Sequence, residues 1–345
     1  MWKFEQIFFI AFIVGVVLTP ILRIAAFQLG ILDHPKKHGI HAHPVPRLGG
    51  VAIYAAFVVG TLSRMDLSEP LKGVLFGSSA IFGIGLMDDL IHLRAGLKLG
   101  GQLVACAVMM FKYGVILDVF PSPLLNGFFT ALGIIGLTNA VNFLDNMDGL
   151  ASGLVAISSF SIFLVAYGTK QVWLAYLSMA LVGACTSFLV FNFRKAHVFM
   201  GDAGSTFLGF TLASLAVMTE WSYYLPVTLA VPILILGVPI LDMFLITVLR
   251  IKEDKVRNFR EWIDYTGKDH LSHRFMRLGL GERGAVLALW GLQLLFCGAA
   301  LFLLPRPSQY GIYGLLFFGL ITSGMIFFFR KKRSLVLRWK GRVRK

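Results

Sequence analysis

The sequence predicts an all-α polytopic membrane protein with about eleven transmembrane helices, the amino terminus outside and the carboxyl terminus cytoplasmic. Three observations carry this. Hydrophobic residues fill 57% of the 345 positions against 14% charged, with a mean hydropathy of +0.76, outside the range of soluble domains. Apolar runs of roughly 20 residues, enough to cross hydrocarbon as a helix, recur along the whole chain. Finally, 26 of the 32 lysines and arginines fall on alternate connections between these runs, the bias of cytoplasmic segments.

The runs predict spans at 6–29, 48–64, 72–87, 99–117, 124–141, 150–168, 172–191, 203–219, 222–249, 285–304 and 310–329. With odd-numbered spans ending inside, the segments 23–47, 88–98, 142–149, 192–202, 250–284 and 330–345 are cytoplasmic, and only Lys3, Arg64, Lys72, Lys112, Lys170 and Arg306 lie opposite. The first run is too long for a signal-peptide core and has no small-residue cleavage site, so it reads as a retained span. The ninth run exceeds a straight crossing and carries Pro232 and Pro239. Each removes a backbone donor, so a kinked ninth helix is expected, with Asp242 just beyond the kink as a lone carboxylate, capped or paired. One membrane-embedded domain thus covers 1–345. Within it, 250–284 forms a cytoplasmic loop with a short amphipathic helix, and 330–345 a basic tail against anionic lipid. The net charge of +14 raises nucleic acid as a partner, but the basic residues form no patterned helix or module, so none is expected. Cys106, Cys185 and Cys297 sit inside apolar runs and read as small buried hydrophobes.

The acidic residues follow a different logic. Asp88 and Asp89 end the third run, where the helix dipole already places negative charge, so capping explains them poorly and a cation answers better. Lys98 supplies part of that charge. Asp145 and Asp148 precede the sixth run among Asn139, Asn142 and Asn146, more polar groups than a cap requires, although Asp148 before Gly149 also suits an N-cap. Asp202 opens the eighth run between Gly201 and Gly204. Free amides at a helix start bind phosphate oxygens, and a carboxylate there either caps the helix or calls for a bridging metal such as magnesium. His270 and His273 lie in a basic loop beside Arg274, and loop histidines serve as metal ligands, acids, bases or diphosphate holders. His34, His38, His41 and His43 are broken up by Pro35, Pro44 and Pro46 and read as loop rather than a zinc site. Arg47-Leu-Gly49-Gly50 is a candidate for close substrate approach.

Taken in order, Asp33-His-Pro…Arg47-Leu-Gly-Gly, Asp88-Asp89, Asn139…Asp148 and Phe199…Asp202, with a final His270-Leu-Ser-His273, resemble the polyprenyl-phosphate N-acetylhexosamine-1-phosphate transferases. The resemblance runs from about Asp33 to His273. It implies that Asp88 and Asp89 lie near the lipid phosphate with Lys98, that Asn139, Asn142, Asp145, Asn146 and Asp148 contact the nucleotide-sugar, that Asp202 binds magnesium, with Asp88 a second ligand, and that Phe199 stacks on uracil. Catalytic roles then fall to Asp88, Asp89, Asp202, His270 and His273, and substrate binding extends to Arg47 and Arg274. The partners implied are a UDP-N-acetylhexosamine, undecaprenyl phosphate and membrane lipid, with Mn2+ able to replace Mg2+ and a homodimer allowed. The place implied is the cytoplasmic face of a bacterial inner membrane.

One departure matters. Ser272 stands where the family has an additional histidine, and the muramoyl-pentapeptide branch carries three in a row, which favours the surface-polymer branch and a GlcNAc-1-phosphate donor. The chemistry implied is transfer of a sugar-1-phosphate with release of UMP, a reaction that needs charge neutralisation and alignment more than covalent help. Phospho-N-acetylmuramoyl-pentapeptide transfer is the alternative. An ion-coupled transporter is the rival class, but it expects acids spread through the membrane depth, whereas only Asp242 falls inside a run here.

Overall fold

The computed structural model describes residues 2–33, 43–63, 68–193, 195–258, 261, 265, 267 and 269–343, and helices account for nearly all of them. Helix α1 (Trp2–Leu29) leads to the two-residue strands β1 (Leu32–Asp33) and β2 (Val45–Pro46), paired antiparallel. Then follow α2 (Gly49–Leu62), α3 (Glu69–Ile91), α4 (Ala95–Tyr113), α5 (Pro123–Leu144), α6 (Leu150–Gly168), α7 (Val172–Asn192) and α8 (Gly201–Met218). The last part of the chain holds α9 (Leu225–Ile235), α10 (Gly237–Lys252), the short α11 (Leu271–Phe275) with a π turn, α12 (Gly281–Leu303) and α13 (Ser308–Val343). Helix ends obey local chemistry. Ser122 and Pro123 open α5, the serine oxygen accepting the Leu125 amide. Gly114 closes α4 at φ +70, four residues short of the expected end of that span.

Among the described residues, eight helices are long and apolar enough to cross a membrane, or nine if α9 and α10 count as one bent span. This is a membrane protein, although fewer elements pass on length and composition than the eleven runs expected. The shortfall is α2, with only 14 residues, and α8. Helix α8 is almost wholly buried by protein, with α2, α3, α5, α6 and α7 around it, so it needs no lipid-facing apolar surface. Its Ser205, Thr206, Thr211 and Ser214 turn their hydroxyls onto carbonyls one turn back, which satisfies them inside the bundle.

The ninth run is not one kinked helix but two, α9 and α10, bent by 82° at Leu236. Pro239 has no N–H, so the carbonyl of Ile235 loses its helical donor. Three side-chain contacts repair the gap. Gln293 of α12 donates Nε2 to Ile235 O at 2.6 Å and accepts the Val238 N–H on Oε1 at 2.9 Å, and Ser158 of α6 donates Oγ to Ile235 O at 2.8 Å. Irregular backbone at membrane depth persists only where protein re-satisfies it, and here the partners are completely buried.

Residues 259, 260, 262–264, 266 and 268 of the 250–284 segment, where a short amphipathic helix is expected, lie outside the described residues, as do His34, His38 and His41 and the side chains of the 330–345 tail. Cys106, Cys185 and Cys297 are buried free thiols.

Candidate functional site

The motif residues gather at one end of the bundle, where α3, α5 and α10 finish and α4 and α8 begin. The convergence is built by close helix approach. A Cβ on Gly50 of α2 would meet the backbone of Met200 and Gly204, so α2 and the start of α8 can touch only through glycine. The chain before α8 pairs with the stretch after β2: Phe199 N–H bonds Pro46 O at 2.8 Å, Gly49 N–H bonds Phe199 O at 3.0 Å, and Gly50 N–H bonds Met200 O at 3.0 Å. This holds Arg47 and Phe199 at the same mouth. Arg47 pairs with Asp33 at 2.9 Å, and Phe199 is half-buried.

Lys98 sits between two acids. Its Nζ lies 2.8 Å from Asp88 Oδ2 and 2.9 Å from Asp202 Oδ2, joining the third, fourth and eighth helices by one ammonium. Asp88 also accepts the Leu93 N–H on Oδ1 at 2.6 Å. Asp89 has a different task from its neighbour. Its two oxygens accept the backbone N–H groups of Asp202 and Ala203, both at 2.9 Å, so it closes the amino end of α8 from outside that helix. Gly201 makes room for it: φ is +68, and a Cβ there would strike the Asp89 carboxylate.

The polar turn after α5 is divided in the same way. Asn142 Oδ1 accepts Ser205 Oγ at 2.7 Å, tying α5 to α8. Asn139 faces sideways instead, exchanging amide contacts with Gln102 of α4 at 2.8 and 3.5 Å. Asp148 is not the N-cap of α6. Gly149 holds that position at φ +76, and Asp148 Oδ2 accepts the Ala196 N–H at 2.8 Å, anchoring the loop that leads to Phe199. Asp145 ends α5 beneath these groups. Burial pushes its carboxyl up to about 8, with the charges of Asp202, Asp89 and Asp148 adding to the rise and Arg47 opposing it.

The histidine loop docks on this turn. Ser272, fully buried, donates Oγ to Asn146 Oδ1 at 2.6 Å, and the His270 ring lies 5.7 Å from that of Phe143. Arg250 grips Asp269 with two bonds of 2.9 and 2.7 Å and stacks on Tyr265 at 4.5 Å. Burial works against the Asp269 charge, yet the Arg250 fork holds its carboxyl below the ordinary carboxylate range. Arg274 donates to Asp269 O at 2.7 Å and lies over Phe329, and His273 is half-buried on the same short helix, its carbonyl accepting from Arg277.

Residues 71–220 match the model of the family described as Glycosyl transferase family 4. The chain is 32% identical to a Bacillus subtilis (strain 168) protein described as a probable undecaprenyl-phosphate N-acetylglucosaminyl 1-phosphate transferase, over 86% of this chain and 84% of the relative. The chain belongs to the polyprenyl-phosphate N-acetylhexosamine-1-phosphate transferase family. Other relatives of this family include the decaprenyl-phosphate N-acetylglucosaminephosphotransferase of Mycobacterium tuberculosis (strain CDC 1551 / Oshkosh), 30% identical over 83% of this chain and 80% of the relative. The phospho-N-acetylmuramoyl-pentapeptide-transferase of Moorella thermoacetica (strain ATCC 39073 / JCM 9320) is 32% identical over 84% and 93%. The family is one of sugar-phosphate transferases, and the matched segment contains Asp88, Asp89, Lys98, the 139–148 turn and Asp202.

Sequence reasoning left Gln102 and Asp242 out of the site. Asp242 gave a usable signal: a carboxylate within an apolar run requires a partner. Nothing in the local sequence announces Gln102, because its partner is 37 residues away.

Proposed function

We propose that this chain transfers N-acetylhexosamine-1-phosphate, GlcNAc-1-phosphate by preference, from a UDP-sugar to undecaprenyl phosphate, releasing UMP and forming the first lipid-linked intermediate of a surface polymer. The observation that carries this reading is the Asp88–Lys98–Asp202 bridge set against the Asn142–Asp148 turn, in a chain whose relatives are named for this transfer. The reaction runs at the cytoplasmic face of the bacterial membrane, with eleven crossings, the amino terminus outside and the carboxyl terminus inside. The positive bias of the alternate connections supports that orientation.

An oxygen of the lipid phosphate attacks the β-phosphorus of the nucleotide-sugar. The bond to the oxygen bridging the two phosphates breaks, and UMP leaves with it. A phosphomonoester with a second pKa near 6 is already largely dianionic at neutral pH, so orientation outweighs deprotonation. Asp88 and Lys98 orient the lipid phosphate, the ammonium countering its charge. Asn142, Asp145 and Asn146 meet the nucleotide-sugar, and Phe199 and Arg47 receive the uridine end. Asp89 and Asp148 act by holding the backbone of α8 and of the 196–199 segment in place, which supports their positions in the site without contact to substrate.

The donors suit magnesium. Hard carboxylate oxygens of Asp88 and Asp202 meet at Lys98, and Asp89 and Asp145 act on the same charges, the donor type that magnesium takes. Among the described residues no three His, Cys, Asp or Glu form a ready cage, which agrees with an ion that takes one or two carboxylates and completes its shell on phosphate and water. Asp202, with Asp88, would hold it. When bound, it neutralises charge on the diphosphate oxygens.

Purified protein with undecaprenyl phosphate, Mg2+ and a panel of UDP-sugars tests the reading. UMP is expected from UDP-GlcNAc and not from UDP-MurNAc-pentapeptide; the reverse selects the alternative branch. Asp88→Asn and Asp202→Asn are each expected to lower UMP release by roughly 100-fold or more with the fold intact in detergent. Full activity in either removes that residue from the site.

A further inference from the structure

We infer that Asp242 is a positioning residue that sets the tautomer of His270, so that the broken helix α10 aims the histidine loop. The inference rests on the proposed transfer reaction and on the catalytic role that the family resemblance implies for His270. Asp242 lies in the second turn of α10 and is 2% exposed, and His270 is 7% exposed. Asp242 Oδ2 lies 2.7 Å from His270 Nδ1, while Oδ1 accepts the Leu271 N–H at 2.6 Å. A carboxylate this deep requires a donor on each oxygen. The Leu271 amide serves one, so Nδ1–H serves the other, and the proton of the neutral ring is thereby fixed on Nδ1.

Nε2 is left bare. It is the nitrogen free to accept a proton or, once protonated, to offer N–H to a phosphate oxygen. The ring cannot easily turn away, because Leu271 is held by the same carboxylate and Ser272 is bonded to Asn146. Two adjacent residues and a side chain two places on are thus fixed from α10 and from the turn after α5, far more than closing a loop demands. The geometry points to control of which nitrogen faces the ligand.

A merely structural Asp242 would act through the Leu271 amide alone, and Asp242→Asn separates the two roles. Asparagine keeps an oxygen for that amide but replaces Oδ2 with an NH2 donor, forcing Nδ1 to accept and moving the ring proton to Nε2. The expected result is a fall in kcat for UMP release of about 10- to 100-fold, the size seen when a partner orienting a histidine is lost. KM for the UDP-sugar should stay within roughly threefold. In a His270→Ala background the same change should alter kcat less than about twofold, because the residue it acts through is gone.

Full kcat in Asp242→Asn beside a damaged His270→Ala would overturn the inference and leave the site reading standing. So would a loss that adds in full to that of His270→Ala. Full kcat in His270→Ala would remove His270 from the site and the inference with it. A measurement on the unaltered protein guards against variants that fail to fold. With 15N-labelled histidine in detergent, His270 should show a protonated Nδ1 and a bare Nε2; the opposite tautomer ends the inference.

Discussion

At the scale of single residues, Asp89 and Asp148 meet backbone amides of distant segments, whereas Asp88 and Asp202 share the Lys98 ammonium. Lys98 shows what the division costs. In Lys98→Met the Asp88 and Asp202 carboxylates lose their shared donor, and with the pair part-exposed the expected destabilisation is roughly 1–3 kcal/mol, read as a lowered unfolding midpoint in detergent. An unchanged midpoint would deny the bridge. Asp145 gives a pH signature. Its folded-state pKa of about 8 lies above the unfolded value of 3.8, so between these the folded chain holds the extra proton. Stability therefore falls as pH rises from about 4 through 8. Metal-free wild type should lose thermal stability from pH 5 to 8, and Asp145→Asn should lose less; parallel curves would contradict the shift. The sequence displayed Asp88 and Asp89 plainly, since paired carboxylates at a helix C-terminus resist a capping explanation. It could not display that Asp89 serves the Asp202 and Ala203 amides, or that Asp148 serves Ala196, because those partners lie 113, 114 and 48 residues away.

Among the elements, α8 and the α9–α10 pair depart most from the plain apolar helix. Helix α8 was legible as a span but not as the central one; its serines and threonines read as weak hydrophobicity until the surrounding helices are seen. The break was half legible. Pro239 names Ile235 as the carbonyl that loses its donor, four residues back, but the partner that answers it is Gln293, 58 residues away. Gln293→Leu would leave the Ile235 carbonyl with Ser158 and a long Cys297 Sγ contact, and the Val238 N–H with nothing among the described residues. Each orphaned polar group costs about 1–3 kcal/mol. The variant should unfold or aggregate several degrees below wild type in detergent, and wild-type stability would mean that the bundle repacks around the gap.

For the whole molecule, positions of the helices were readable from apolar runs, and the number that pass as independent spans was not, because α2 is short and α8 hides in protein. The orientation makes a direct prediction. Cysteine placed at Thr169, between α6 and α7, should react with an impermeant maleimide added to intact cells, and cysteine at Ala196, between α7 and α8, only after permeabilisation. Labelling of both from outside would invert the assignment of the site to the cytoplasm. The convergence of five chain segments at one end is a property of the assembled bundle, reached through glycine contacts such as Gly50 on Gly204 that no single segment reveals. The elbow between α9 and α10 carries a further consequence. One glutamine clasps both sides of it, so straightening would pull the Ile235 carbonyl off Gln293 and Ser158 with no Pro239 N–H to replace them. The joint is welded rather than sprung, fixed from α12 and α6 at once.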